Sequence, residues 1–182
     1  MKRRISQGQA MRSILGRSRV IQRDGRSPVT PRSGRFRMRS GCPWLIRRFI
    51  DARAEFLYVP TGLVLAEAGR LGAVAYDIAG APISHEWEKC SFDALLDAFE
   101  LRDPALATLA TIVRGADTDR LSLAPQSAGL LAFSLGLSRL HADDHAMLEA
   151  AMPLYDALFE WCRGAQGERH SWPAHTVTVA DR

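Results

Sequence analysis

The charge of this chain is divided so unevenly that its first 40 residues and the remainder need separate physical accounts. Residues 1–40 hold one Lys and eleven Arg against a single acid, Asp24, a charge of +11, whereas residues 41–182 hold 12 bases and 19 acids, a charge of −7. Averaged over the chain this becomes +4 with a pI of about 9.3, a balance that by itself would suggest a nucleic-acid binder. The first 40 residues are rich in Arg, Ser and Gly, carry Pro28 and Pro31, and show no apolar stripe able to offset ordering entropy. They are expected to be a disordered arm. Its arginines suit nucleic acid through counterion release. The blander reading, a solvated extension or sequence upstream of a start at Met11, is favoured because no aromatic residue interleaves with the arginines before Phe36.

The acidic remainder has the composition of a folded body, since 47% of the chain is hydrophobic and roughly 140 residues are ample for one core. No apolar run approaches the roughly 20 residues that cross a bilayer, so no membrane partner is expected. Met1-Lys2-Arg3-Arg4 looks like a signal n-region, but no apolar segment follows, and export is not expected. Cys42, Cys90 and Cys162 are odd in number and contain no CxxC pair. That usage fits a reducing cytoplasm and excludes a disulfide framework and a thiolate zinc ribbon.

Local patterns predict the elements. Pro43 suits the first turn of a helix that buries Trp44, Ile46, Phe49 and Ile50; residues 54–60 read as a strand closed by Pro60, 63–71 as a helix ending at Gly72, and 73–78 as a second strand. Ser91 is placed to cap a helix reaching about Leu101, and Asp103-Pro104 opens another to about Arg114. Residues 125–140 are apolar on nearly every side and are expected to be the central buried helix. Asp143 or Asp144 caps the last helix, which Pro153 should kink or split. Residues 164–182 are polar, with Trp172 as an anchor. The predicted class is mainly α with a small β component, α+β or α/β: a central buried helix packed by several helices, and two short strands near the start.

Ligand-type side chains gather at three boundaries: Ser84–Phe92, with His85, Glu88 and Cys90; Arg114–Arg120, with Asp117 and Asp119; and His141–His145. Imidazole with carboxylate suits zinc, iron or manganese, and a thiolate would favour zinc. His141 and His145 share a helical face only if one helix spans both, and a cap at Asp143 or Asp144 prevents that. A loop histidine bonded to backbone, a buried apolar cysteine and aspartates serving as caps are the structural alternatives. Arg47, Arg48 and Arg114 are guanidinium forks suited to a tetrahedral oxyanion such as chromate; the alternative is that Arg114 and Arg120 pair with Asp117 and Asp119. No nucleophile elbow, phosphate-binding loop or dinucleotide fingerprint occurs.

At these same segments the chain resembles the C-terminal domain of the chromate resistance regulator ChrB family. The matching stretches are Cys42-Pro43-Trp44-Leu45-Ile46-Arg47-Arg48-Phe49-Ile50-Asp51, the loop from His85 to Phe92, Val113-Arg114-Gly115-Ala116-Asp117-Thr118-Asp119, Leu123-Ala124-Pro125-Gln126, Asp143-Asp144-His145-Ala146-Met147-Leu148-Glu149, and Trp161-Cys162-Arg163. They place a globular domain at 41–173 between the arm at 1–40 and a flexible tail at 174–182. The resemblance implies a cytoplasmic bacterial protein of chromate resistance, related to chromate-responsive transcription regulators. Full-length regulators carry a further N-terminal domain that this chain does not include, so promoter binding through it is not expected. The family's acidic lead-in before Cys42 is replaced by Phe36-Arg37-Met38-Arg39.

The resemblance also raises one ligand set above the rest: His85, Glu88, Asp117, Asp144 and His145 as a divalent-metal site for zinc, iron or manganese. Arg47, Arg48 and Arg114 stand beside it as the oxyanion site for chromate or a related oxyanion. The reading that follows is a non-enzymatic metal- or oxyanion-sensing or accessory domain that passes its signal through a partner and is compatible with a homodimer. The alternative is a metalloenzyme or redox protein detoxifying chromate, with Cys42 and Cys90 as redox thiols.

Overall fold

A computed structural model describes residues 19–23, 40–85 and 88–168. The remainder of the basic arm, Glu86 and Trp87, and the tail with Trp172, on which the sequence placed expectations, lie outside the described residues.

A three-stranded parallel sheet in the order β2-β1-β3 stands at one side of the fold. Its middle strand is β1, Arg19–Arg23, with β2 at Glu55–Val59 and β3 at Val74–Ala75. In register, Val20 lies between Phe56 and Val74, and Ile21 between Leu57 and Ala75. This corrects two expectations at once, since there are three strands among the described residues rather than two, and residues 19–23 do not belong to a disordered arm. The physical reason is that a central strand needs very little sequence. Val20 and Ile21 are β-branched and bury opposite faces, Ile21 completely, while backbone hydrogen bonds to a strand on each side satisfy the rest.

Helix α1, Gly41–Leu45, starts with Pro43 in its first turn and widens into a π-turn over Ile46–Ile50. After β2, a short 3-10 turn leads into α2, Val64–Leu71, which ends on Gly72 at φ 62°, the left-handed position that glycine occupies without steric cost. α2 packs Val64 and Ala68 on the sheet face that carries Ile21 and Ala75. The opposite face, with Val20 and Phe56, joins the main core formed by α1, α3 (Ser91–Ala98), α4 (Pro104–Asp117) and α6 (Asp144–Glu160). Trp44 is central there, with ring centroids 5.5–6.4 Å from Phe49, Phe92, Tyr155 and Phe159.

The caps explain where the helices begin. Asp103 accepts from the Ala105 and Leu106 amides at 2.7 and 3.2 Å, and Asp143, not Asp144, accepts from Ala146 at 2.9 Å. At α3 the cap is Cys90 rather than Ser91, because the Asp93 carboxylate turns back to accept the Cys90 amide at 3.0 Å. Pro153 does not split α6, which runs unbroken to Glu160 with the proline exposed on its outer side.

The buried centre is α4, with eight buried residues from Ala105 to Ala116. The expectation that residues 125–140 fill this role is corrected: α5, Gln126–Leu140, buries only Ser127, Leu130 and Ser134. An all-round apolar pattern shows that a helix can be covered on every side, but not that neighbours exist to cover it. α4 and α5 meet where Gly115 leaves no room for a side chain, a Cβ there falling 2.9 Å from Ser127 Cβ and 3.1 Å from the Arg120 carbonyl. Gly115→Ala is therefore expected to cost about 1–3 kcal/mol by overpacking, read as a lower urea midpoint. Ile21→Ala is expected to cost about 2–4 kcal/mol in the same measurement, whereas a residue in a disordered arm would change nothing.

Candidate functional site

The sheet, α3 and α4 converge on buried carboxylates. Asp77 follows β3 with φ 60°, a left-handed conformation that costs a non-glycine residue about 1–3 kcal/mol. Its amide is held by the Ile83 carbonyl at 2.9 Å, which closes the 78–82 loop, and its carboxylate accepts the Ser91 hydroxyl at 2.8 Å. Asp117 ends α4. Between the two stands His85, whose Nε2 is 3.2 Å from Asp77 Oδ1 and 3.2 Å from Asp117 Oδ2. The nitrogen is buried, and it is shared between the two oxygens rather than aligned on either one.

Both carboxylates are about nine-tenths buried, with His85 three-quarters buried. Their attraction outweighs the cost of burying the ring, so His85 is raised from 6.5 to about 9, by Asp117 first and Asp77 second. The imidazole is therefore a cation at neutral pH. A second charged pair lies alongside: Arg114 of α4 forks onto Asp93 of α3, Nε to Oδ2 at 3.1 Å and NH2 to Oδ1 at 3.0 Å. The same Asp93 Oδ2 accepts from the Cys90 thiol at 3.3 Å. Among the described residues, the Asp77, Asp93 and Asp117 carboxylates thus lie against His85 and Arg114.

The predicted residues distribute unevenly over this geometry. Of the five proposed metal ligands, His85 and Asp117 meet, while Glu88 is exposed and paired with Arg120 at 3.1 Å. His145 is exposed and sits edge-on against the Tyr58 ring, centroids 4.9 Å apart, and Asp144 lies in the first turn of α6. Among the described residues, no group of three or more His, Cys, Asp or Glu side chains is set to hold a metal ion. The residues that sequence reasoning missed are Asp77 and Asp93. Asp77 was hidden inside an apolar strand pattern, though an acid there is itself a signal. Asp93 occupies the third position after a helix cap, where an acid reaching back to the cap is a known signature.

The three arginines do not form one oxyanion site, because each holds a carboxylate. Arg47 donates to Glu149 at 2.6 Å and lies over the Phe56 ring, Arg48 forks onto Asp156 at 2.7 and 2.8 Å beside the Trp44 indole N–H, and Arg114 holds Asp93. Nor does Arg114 or Arg120 take the expected partner in Asp117 or Asp119; the geometry gives them Asp93 and Glu88 instead. Cys42 and Cys90 are free and buried. Burial first, then the neighbouring carboxylates, push both thiols up, which suppresses the thiolate that redox chemistry needs.

The His85 ion pairs make a pH prediction. A folded-state value of about 9 against an ordinary 6.5 gives stabilisation that is full below about pH 6.5 and lost as the pH rises through about 9. The stability difference between the wild type and His85→Gln is expected to shrink across that window, measured by urea unfolding at a series of pH values. A constant difference would show that folding leaves the titration of His85 unshifted.

Comparison with known proteins adds the family. The family described as ChrB, C-terminal domain, matches residues 32–162. The chain is also 31% identical over 122 residues to Protein ChrB of Cupriavidus metallidurans (strain ATCC 43123 / DSM 2839 / NBRC 102507 / CH34). That alignment covers 66% of this chain and 36% of the relative, so the chain spans little more than a third of that protein's length. No solved structure matches.

Proposed function

The chain belongs to the ChrB C-terminal domain family, and from that premise we propose that it is a regulator-like chromate resistance protein, a cytoplasmic sensing or accessory domain that binds its signal as a cation at Asp77, His85 and Asp117. The observation that carries this reading is one buried ring nitrogen 3.2 Å from carboxylate oxygens on two separate elements, one of them on a strained backbone. A node of that kind joins the loop after the sheet to the end of the most buried helix, so a change of occupant moves one against the other.

Electrostatics choose the sign of the signal. Asp77, Asp93 and Asp117 line this node, and a chromate dianion brought against their carboxylates meets like charge at low dielectric. A cation meets attraction instead. Imidazole with two carboxylates suits zinc, iron or manganese, provided that His85 gives up its proton and the oxygens close in. Control of transcription, which the wider family suggests, would then act through a partner that responds to this domain.

The test is thermal melting of the full chain with zinc, manganese or chromate added singly. Saturation with the correct metal at about 100 times its dissociation constant should stabilise the fold by about 2.7 kcal/mol, and the rise should be lost in His85→Ala and Asp117→Asn. Chromate alone should leave the melting temperature unchanged. A chromate shift of equal size in wild type and both variants, or no stabilisation by any metal, rejects the reading.

A further inference from the structure

Ser91 carries a hydroxyl that its own helix does not use. A serine at a helix start ordinarily turns its oxygen onto the first free amides, but Cys90 holds the cap position of α3 and Asp93 reaches back to it, which leaves Ser91 inside the first turn. The residue is 2% exposed, and its hydroxyl donates across to Asp77 Oδ1 at 2.8 Å. That oxygen is the one that lies 3.2 Å from His85 Nε2. The donor is held firmly in place. Asp93, two residues on, takes the Arg114 fork, and Arg114 stands three residues before Asp117 on α4. Ser91 and Asp117 therefore belong to one frame, and the Asp77 carboxylate at the end of the sheet is oriented against it.

We infer that Ser91 is the residue that sets which cation the Asp77, His85 and Asp117 node accepts, by making Asp77 present a single oxygen, and that the node takes a four-coordinate divalent ion, zinc, ahead of a six-coordinate one such as manganese. The inference rests on the reading of the node as a cation site.

The physical step is the rotation of a carboxylate. The last torsion of an aspartate is soft, so a carboxylate without a fixed donor can turn both oxygens toward a large ion. The Ser91 hydrogen bond opposes that turn and occupies part of the acceptor capacity of Oδ1. Asp117 meets the ring through Oδ2, so the node offers one imidazole nitrogen and one oxygen from each of two aspartates. Three such ligands are what zinc takes from a protein where a fourth position stays open, whereas manganese favours octahedral oxygen coordination. Glu88 and His145, which would raise the ligand number, are exposed and engaged with Arg120 and Tyr58. A hydroxyl that merely satisfied a buried carboxylate would matter alike for every cation; one that fixes how many oxygens are offered changes the preference between cations.

Titration calorimetry of the full untagged chain with zinc chloride and, separately, with manganese chloride is expected to show zinc bound more tightly. Ser91→Ala, with a circular dichroism spectrum like that of the wild type, should weaken zinc by at least about tenfold and leave manganese unchanged or tighter. Ser91→Thr keeps the hydroxyl and should keep the wild-type preference. Cobalt gives a readout that does not depend on any variant: the wild type should show the strong visible absorption of a four-coordinate ion, and Ser91→Ala the weak absorption of a six-coordinate one. Equal losses for zinc and manganese in Ser91→Ala, an unchanged ratio, a wild type that prefers manganese, or a six-coordinate cobalt spectrum in the wild type overturns this inference while leaving the node a cation site. A wild-type chain that binds none of the three metals rejects the cation reading, and this inference with it.

Discussion

Three carboxylates buried where the sheet meets α3 and α4 set the terms for the rest of the structure. An ionised carboxylate loses several kcal/mol of hydration on burial unless a cation and hydrogen bonds replace the water. Asp93 has the Arg114 fork, the Cys90 amide and the Cys90 thiol; Asp77 has Ser91 and His85, and Asp117 has His85. The charged contacts join different elements, so those elements must take up a fixed register for the charges to be tolerated. The Asp93–Arg114 pair ties the start of α3 to the last turn of α4, and His85 ties the loop after β3 to the end of that helix. Apolar contacts around Trp44 and Leu109 supply bulk burial but would accept many small displacements; these ion pairs would not.

How much of this was legible depended on whether the information was local. Pro43, the Asp103-Pro104 pair, Gly72 and Asp143 mark helix ends because capping depends on neighbours within four residues, and the corresponding helices lie where their caps predict. β1 was missed for the opposite reason. Val20-Ile21 is too short a run to stand out among arginines, and its burial comes from strands 36 and 54 residues away, Glu55 and Val74 against Arg19 and Val20. α5 failed differently. Its pattern is apolar all round, and only the placement of α4 decides which side is covered.

The site shows the same division. His85 and Asp117 were identifiable because loop-borne ligand types are rarely placed for packing alone, and Glu88, Asp144 and His145 shared that property without sharing the location. Position on a boundary says that a side chain is free to reach a common centre, not that it does. Arg120, turned onto Glu88 and its carbonyl, holds part of the 84–92 loop to the 114–120 boundary through the rim of the fold rather than through its centre. Asp77 needed the fold for its setting to appear, since partners such as Ile83, His85 and Ser91 lie further along the chain.

The position of β1 changes what the uneven charge means. The strand that completes the sheet is drawn from the basic segment, with Arg19 and Arg23 at its two ends and Arg19 bonded to Glu55 on β2 at 3.2 Å. The +11 segment is therefore not simply appended to an acidic domain, because part of it is structural and its cations begin to neutralise the acids of the body. Losing those residues would expose the main core at Phe56 and the smaller one at Val64 together. A sheet whose central strand is held by so little apolar surface is the part of the fold where a shift of the 77–85 loop, anchored to it through Asp77, would be felt first.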